Sequence, residues 1–226
     1  MTADFFRFPH TPHIKWLGSG EPRGDKILSE LDVKKFLTQK LTVEEKIDGA
    51  NVGFSVAANG QIQVQNRGTL IQRDAGGQFK HFWRWVNRHE QDMIGLLGDN
   101  LILFGEWCYA VHSLKYNSLP DWFIGFDIYD RKVCRFYSMP RRNEIFSLLE
   151  ITPVHTIGIG HFSMNELIQC LNLPSHYGAK QIEGIYLRQD EQGWLTRRAK
   201  LVRRDFIQTI EQHWSKKSII PNSISK

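Results

Sequence analysis

The sequence predicts an α+β domain in which helices flank antiparallel β-sheets. Runs of alternating side chains follow one another closely, and the pairs Asp48-Gly49 and Asn59-Gly60 mark tight turns between them. The segment 78–97 instead repeats its large apolar residues at helical spacing. With 226 residues, of which 41% are hydrophobic and 23% charged, the chain has the size and composition of one soluble globular domain.

The first half of the chain is predicted to hold two helices and three strands. Ser29 opens a short helix over 29–40, because Asp32 stands three residues later as a partner in the cap. A longer helix spans 78–97. The three strands between these helices are predicted at 41–48, 50–57 and 61–68.

The second half is predicted to add four strands and three helices. The two mostly apolar strands are 100–110 and 121–130, and the two later strands are 183–189 and 193–202. The helices are predicted at 140–150, 163–172 and 204–214. In the second of these, Ser163 and Glu166 form a capping box.

Composition excludes several classes of protein and leaves one open. No stretch approaches the roughly 18 apolar residues of a membrane span, and the first residues lack the pattern of a signal peptide. The 3 cysteines have no metal-like spacing, which favours a reduced, cytoplasmic protein. The net charge of +5 is compatible with nucleic-acid binding, and residues 197–204 hold five cations in eight positions. A solvated basic surface explains that run equally well on charge alone.

Lys46 is the residue on which the functional interpretation depends. It stands at the end of a predicted strand, two residues before Asp48-Gly49, where the glycine permits a sharp turn and a close approach of a ligand to the backbone. Taken alone, this Lys-x-Asp-Gly pattern is better explained by a hairpin with a surface lysine. Five further motifs follow it in order: "NRG" (66–68), "FGEW" (104–107), "GFDIY" (125–129), "EGIYLR" (183–188) and "RAKLV" (198–202).

This succession of motifs resembles the covalent nucleotidyltransferase superfamily, which contains ATP-dependent ligases and mRNA capping enzymes. The Lys-x-Asp-Gly-x-Asn form and the short spacing are most similar to ATP-dependent RNA ligases of the RNA ligase 2 type. The resemblance covers 46–202 and implies an adenylyltransferase domain of ATP-grasp-like antiparallel sheets flanked by helices. It predicts one nucleotidyltransferase domain over 1–226, with 1–40 as an N-terminal leader and 203–226 as a C-terminal helix and tail. About two dozen residues after Val202 leave no room for a C-terminal oligonucleotide-binding (OB) domain.

The resemblance also implies a role for each matching residue. Lys46 would attack the α-phosphate of ATP and carry AMP. This attack requires a neutral amine, so we expect burial, the cations of Arg198 and Lys200, or a metal ion to lower the pKa of Lys46. Arg67 would hold a phosphate or the ribose, because its planar fork binds oxygens in pairs. Glu106 would contact the ribose hydroxyls. Without the resemblance, Arg67 is equally well explained as an exposed turn arginine and Glu106 as a structural ion-pair residue.

The remaining predicted nucleotide contacts carry alternatives from the residues themselves. Phe126 would lie against adenine, although plain core packing is the alternative. Glu45 and Asn51 flank the nucleophile; the Glu45 side chain points away from Lys46, so its main chain is the expected contact. Glu183 would bind Mg²⁺ or Mn²⁺, because carboxylate oxygens suit hard cations.

Two cations on the last strand are expected to reach the phosphates. Arg198 and Lys200 alternate and therefore share a strand face. The family more often has lysine at both positions, so Arg198 departs from the pattern: it keeps the positive charge but offers a phosphate a different donor geometry.

The sequence therefore predicts an ATP-dependent RNA ligase that joins 5′-phosphate and 3′-hydroxyl ends through a lysyl-AMP intermediate and an adenylated polynucleotide. Arg203 and Arg204 are predicted to point outward to the RNA backbone. A repair partner protein or the first forty residues would complete the grip on a nicked or broken substrate. The alternatives are a DNA ligase or guanylyltransferase on the same core, or a non-catalytic nucleic-acid-binding relative. His10 and His13 are not assigned to a metal site, because no third ligand is in view.

Overall fold

A computed structural model describes residues 5–19, 22, 26–209 and 219–225. The strands are β1 (Leu41–Lys46), β2 (Ala50–Val56), β3 (Ile62–Gln65), β4 (Leu101–Trp107), β5 (Phe123–Asp130), β6 (Arg135–Phe136), β7 (Thr156–Gly160), β8 (Gly184–Glu191) and β9 (Trp194–Val202). The helices are α1 (Glu30–Leu37), α2 (Phe82–Leu97), α3 (Met139–Leu148), α4 (Met164–Cys170) and α5 (Arg204–Thr209). A single 3₁₀ turn at Gly77–Phe79 precedes α2.

The strands form two antiparallel sheets, which confirms the predicted α+β fold class. The first sheet has the order β7-β1-β8-β9, and the second has the order β3-β2-β4-β5-β6. The Asn59-Gly60 pair closes a β2–β3 hairpin as predicted, with Gly60 at a φ of 79° that favours glycine. The predicted helix over 204–214 begins as α5, and its last residues lie outside the described ranges.

The Asp48-Gly49 pair does not close a hairpin. It carries the chain from β1 in the first sheet to β2 in the second, so the two strands are not hydrogen-bonded to each other. Asp48-Gly49 is thus the point where the two sheets are joined, and Lys46 stands immediately before it. The simple interpretation of this pattern as a surface hairpin is therefore wrong.

Each sheet packs one face against helices. Phe54, Trp85 and Trp107 belong to the core between the second sheet and α2. Leu41, Val43 and Leu187 pack in a second core with residues of α1 and α4. Since side chains alternate along a strand, the neighbours of these residues point to the opposite faces, where the candidate site lies. None of the helices in the described ranges has the length and apolar character that a membrane span requires.

Candidate active site

A cavity of about 450 Å³ lies between the two sheets. It is large enough for a ligand of nucleotide size, since small-molecule sites commonly begin at about 300 Å³. Eight of the nine predicted nucleotide-binding residues line it: Glu45, Lys46, Asn51, Arg67, Glu106, Phe126, Glu183 and Lys200. The ninth, Arg198, is not among the lining residues. The fold thus gathers residues from seven separate strands and loops around one space.

Strand register brings Lys46 next to two carboxylates. Lys46 is the last residue of β1 and pairs with Gly184 of β8, so that Glu183 lies directly beside it. Its Nζ is 2.5 Å from Glu183 Oε1, and 26% of the Lys46 side chain is exposed. Glu106 reaches the same space from β4, where it pairs with Asn51 of β2. The amine is therefore held at the cavity wall and is not free in bulk solvent.

Gly49 is required where the chain crosses between the sheets. A Cβ atom at this position would lie 2.9 Å from the Trp107 carbonyl oxygen and 3.1 Å from Cys108 Sγ. The missing side chain lets the start of β2 approach the end of β4, and this approach brings Glu106 toward Lys46. The Asp-Gly pair therefore has a physical explanation in close packing.

Asp48 anchors the crossing to the loop that follows β4. Its Oδ2 accepts hydrogen bonds from the backbone N–H groups of Ser113 (2.7 Å) and Leu114 (3.0 Å). Its own N–H donates to the Tyr116 hydroxyl at 2.8 Å. Three hydrogen bonds thus fix the residue two positions after Lys46.

The charges nearest Lys46 are negative. Burial lowers the pKa of Lys46, but the carboxylates of Glu183 and Glu106 outweigh burial, and the net direction is upward. We expected the cations of the last strand to help keep this amine neutral. The protein groups by themselves do the opposite, because together they raise the pKa of Lys46. Whatever produces the neutral amine must first offset these carboxylates.

Burial disfavours the charged forms of both Glu106 and Glu183. Burial is the largest cause that raises the pKa of each carboxyl from 4.5 to about 7, and the positive charge of Lys46 opposes it. Within the described residues, Glu106 Oε2 and Glu183 Oε2 are buried without a hydrogen-bond partner. A buried acceptor of this kind is costly unless a ligand supplies a hydroxyl group or a cation. The two carboxylates are suited to bind such groups.

Two cations complete the charged wall of the cavity. Arg67 is exposed on a turn after β3, where Asn66 Oδ1 accepts from the N–H groups of Gly68 and Thr69, each at 2.9 Å. Its charge lowers the pKa of Glu106. Lys200 lies on β9 opposite Tyr186, and its charge lowers the pKa of Glu183. These cations stand where they could meet the anionic part of a ligand.

No cluster of three or more His, Cys, Asp and Glu side chains suited to a metal ion occurs among the residues that the structure describes. Magnesium does not require one, because it commonly uses one or two protein carboxylates and takes its other ligands from water and substrate phosphates. The open Oε2 of Glu183 fits that mode of binding.

Phe126 lines the cavity from β5, and its main chain is fixed by a buried arginine. Arg142, which is fully buried, donates to the Phe126 carbonyl and forms an ion pair with Glu44. The ring meets Phe8 edge to face, with 5.2 Å between the centroids. Phe126 is partly exposed, so plain core packing does not account for it fully.

Arg198 does not line the cavity, but it packs against Phe8 and Pro9, which do. Its guanidinium stacks over Phe8 and Phe136, 4.8 and 4.7 Å from the ring centroids, and donates to the Pro9 carbonyl at 3.3 Å. It also lies 4.0 Å from the buried carboxylate of Asp127. The structure thus gives this departure from the family pattern a packing role, and a phosphate contact by Arg198 stays a prediction.

The two predicted RNA contacts differ in exposure. Arg203 pairs with Asp205 and donates to the Ile182 carbonyl at 3.1 Å, and only 16% of its side chain is exposed. Arg203 is thus mostly covered, although its partner Asp205 is exposed, and its contact with RNA stays a prediction. Arg204, which opens α5, is exposed as expected.

The N-terminal segment supplies cavity residues that the motifs did not identify. Arg7, His10, His13 and Trp16 line the cavity. The segment is fixed to β9, because Lys200 N donates to the Pro12 carbonyl and Ile14 N donates to the Lys200 carbonyl, each at 2.9 Å. The aromatic residues at 6 and 8 were a sequence signal for packing, but the rings that they contact, which include Phe104 and Phe136, are about a hundred or more residues away.

Comparisons with known proteins agree with this geometry. A family model described as RNA ligase matches residues 39–202. A comparison with curated protein sequences finds no match. A Naegleria gruberi RNA ligase variant solved with ATP and Mn aligns at a TM-score of 0.62 with 16% identity, covering 81% of this chain and 54% of that one. An apo variant of the same ligase gives 0.61 and 16%, covering 90% and 63%. Its form with PPi gives 0.59 and 17%, covering 90% and 64%. The chain thus spans little more than half of that ligase, and the likeness concerns the fold.

Proposed function

Because this chain belongs to the RNA ligase family, we propose that it is an ATP-dependent RNA ligase that joins a 5′-phosphate to a 3′-hydroxyl. Lys46 attacks the α-phosphate of ATP, a phosphorus–nitrogen bond forms, and pyrophosphate leaves. The 5′-phosphate of the RNA then attacks the phosphorus of the bound AMP, the phosphorus–nitrogen bond breaks and Lys46 is released. Finally, the 3′-hydroxyl attacks the adenylated 5′-phosphate, a phosphodiester bond forms and AMP leaves. The observation that carries the proposal is the placement of Lys46 Nζ 2.5 Å from Glu183 in a cavity that also contains Glu106 and Lys200.

The site residues divide the work by chemistry. Glu106, with an open buried oxygen, accepts a hydrogen bond from the ribose. Phe126 presents a ring to the base, and Arg67 and Lys200 meet the phosphates. The Glu45 side chain has a structural role, because its carboxylate accepts hydrogen bonds from Ser175 Oγ at 2.6 Å and from His176 N at 3.0 Å. Its main chain is the part left for the nucleotide.

Glu183 controls the protonation of the nucleophile. Its carboxylate lies within hydrogen-bond distance of Lys46 Nζ and can receive the proton that the amine must lose. A Mg²⁺ or Mn²⁺ ion held by the other Glu183 oxygen would supply the positive charge that offsets the carboxylates and lowers the pKa of Lys46. Lys200, whose charge already acts on Glu183, assists in the same direction.

The substrate is proposed to be RNA, with Arg204 as a contact to its backbone. The exposed position of Arg204 supports this contact, whereas the low exposure of Arg203 and its hydrogen bond to the Ile182 carbonyl favour a structural role for that residue. Cytoplasmic RNA repair, with or without a partner protein, is the setting that we propose for this reaction.

A joining assay tests the proposal against its rivals. Nicked duplexes that differ only in the sugars beside the break are incubated with the protein, a divalent ion and either ATP or GTP. We expect joined product with RNA at the break and with ATP, and none with Lys46→Ala. Lys40→Ala, which removes an exposed lysine before β1, is the matched control and should join normally. Product only with DNA, or only with GTP, would favour the related enzymes, and binding without any joining would favour a non-catalytic relative.

A further inference from the structure

The segment 219–225 packs against the 108–119 loop, which follows β4. Ile220 O accepts from Val111 N at 2.8 Å, Ser223 N donates to Tyr116 O at 3.0 Å, and Ser223 O accepts from Leu119 N at 3.0 Å. Backbone pairing of this kind, over a hundred residues apart in sequence, fixes the loop along most of its length.

Asn222 is the centre of this contact. Its side chain is buried, with 4% exposed. Its Oδ1 accepts from Tyr116 N at 2.7 Å, and its Nδ2 donates to the carbonyls of Cys108 at 2.8 Å and Ala110 at 3.2 Å. The side-chain amide thus uses both of its N–H donors and its oxygen acceptor. It links Cys108 and Ala110, at the start of the loop, to Tyr116. No aliphatic residue could replace these bonds.

The loop that Asn222 closes is the same loop that holds Asp48, two residues after the nucleophile. Tyr116 is fully buried, its N–H is bound by Asn222, and its hydroxyl accepts from Asp48 N at 2.8 Å. Ser113 N and Leu114 N hold the Asp48 carboxylate at 2.7 and 3.0 Å. A continuous path of hydrogen bonds therefore runs from Asn222 through Tyr116 to Asp48, two residues from Lys46.

We propose that the segment 219–225 is a latch that fixes the 108–119 loop and, through Asp48, positions Lys46, with Asn222 as a positioning residue for transfer of AMP to Lys46. This inference rests on the proposed function, because it takes Lys46 as the nucleophile. In-line attack requires the reacting atoms near 3 to 3.5 Å and aligned, and a displacement of about 1 Å can cost about a hundredfold in rate. Without Asn222, three backbone groups of the loop lose their partners, and the loop that anchors Asp48 loosens.

The full-length protein tests this with Asn222→Ala and with Ser223→Ala as the matched control, since the Ser223 side chain is exposed in the same segment. Hydrogen exchange reports on the amides of residues 113, 114 and 116, and single-turnover mass spectrometry with ATP and Mg²⁺ reports the rate of AMP attachment. We expect faster exchange at these amides and AMP attachment slowed about 10- to 100-fold in Asn222→Ala, with Ser223→Ala unchanged in both.

Two results would overturn the latch: unchanged exchange at residues 113–116, or faster exchange with AMP attachment at the wild-type rate. If Asn222→Ala does not fold, Tyr116→Phe takes its place, because this change removes only the hydroxyl bound to Asp48 N. Tyr116→Phe should slow AMP attachment while the protein stays folded, and a wild-type rate would again contradict the proposal. If the wild-type protein itself acquires no AMP, the proposed function fails, while the exchange measurement still decides whether Asn222 holds the loop.

Discussion

Glu106 is a carboxylate whose neutralisation should stabilise the protein above neutral pH. Burial, only partly offset by Lys46 and Arg67, raises its pKa from 4.5 to about 7. An acid with a raised folded-state pKa contributes stability that is fully present below the unfolded value, near 4.5, and is lost as the pH rises through about 7. At pH 8 Glu106 is ionised in both states, and its negative charge costs more free energy in the folded protein than in the unfolded chain.

The size of this effect follows from the shift. A change of about 2.5 pKa units at about 1.36 kcal/mol per unit corresponds to about 3 kcal/mol at pH 8 and about 1 kcal/mol at pH 5. Glu106→Gln removes the charge and keeps the shape. We therefore expect the free energy of unfolding of the variant to exceed that of the wild type, and the excess to be about 2 kcal/mol larger at pH 8 than at pH 5.

Urea denaturation at the two pH values measures this difference directly. Glu144→Gln, which neutralises an exposed carboxylate on α3, is the matched control and should leave the pH dependence of the wild type in place. Equal gains at pH 5 and pH 8, or a loss at pH 8, would refute the electrostatic reasoning. The same variant should attach AMP more slowly, because Glu106 is the proposed ribose contact, so that stability and activity move in opposite directions.

Three further changes test the packing around the site. Gly49→Ala places a Cβ against the Trp107 carbonyl and should lower the free energy of unfolding by about 1 to 3 kcal/mol; an unchanged denaturation midpoint would contradict the close approach. Arg142→Ala leaves the buried Glu44 unpaired and should cost about 3 to 5 kcal/mol by the same assay, whereas a cost below 1 kcal/mol would mean that the pair contributes little. Arg198→Lys should lower the melting temperature, since it removes the stacked guanidinium, but leave the KM for ATP near the wild-type value; the opposite pattern would place Arg198 in the phosphate site.

Local pattern predicted most of the elements, and it missed those whose existence depends on distant partners. β1 and β2 alternate clearly, and their bounds agree with the predicted strands within two residues. β7, at Thr156–Gly160, was not predicted, because two glycines and partial exposure weaken its local signal; it forms by pairing with β1 at the edge of the first sheet. The two-residue β6 has no local signal at all and depends on β5.

The site shows the same division. Motif order brought eight predicted residues to one cavity, because each motif lies at a strand end or turn whose place the fold fixes. The charge run and strand alternation did not reveal that Arg203 is mostly covered, because its contacts with Asp205 and the Ile182 carbonyl depend on the fold. Nor did they reveal the carboxylates around Lys46, which approach it from β4 and from the residue before β8. The charges that meet between distant strands depend on how the strands are paired, and local sequence patterns do not reveal that register.

The most direct measurement of the central claim is the intact mass of the protein after incubation with ATP and Mg²⁺, following removal of any nucleotide already attached. We expect a gain of one AMP on the wild-type protein, located on the peptide that contains Lys46 and absent from Lys46→Ala. A folded wild-type protein that never gains this mass, or that carries it on another residue, would contradict the claim.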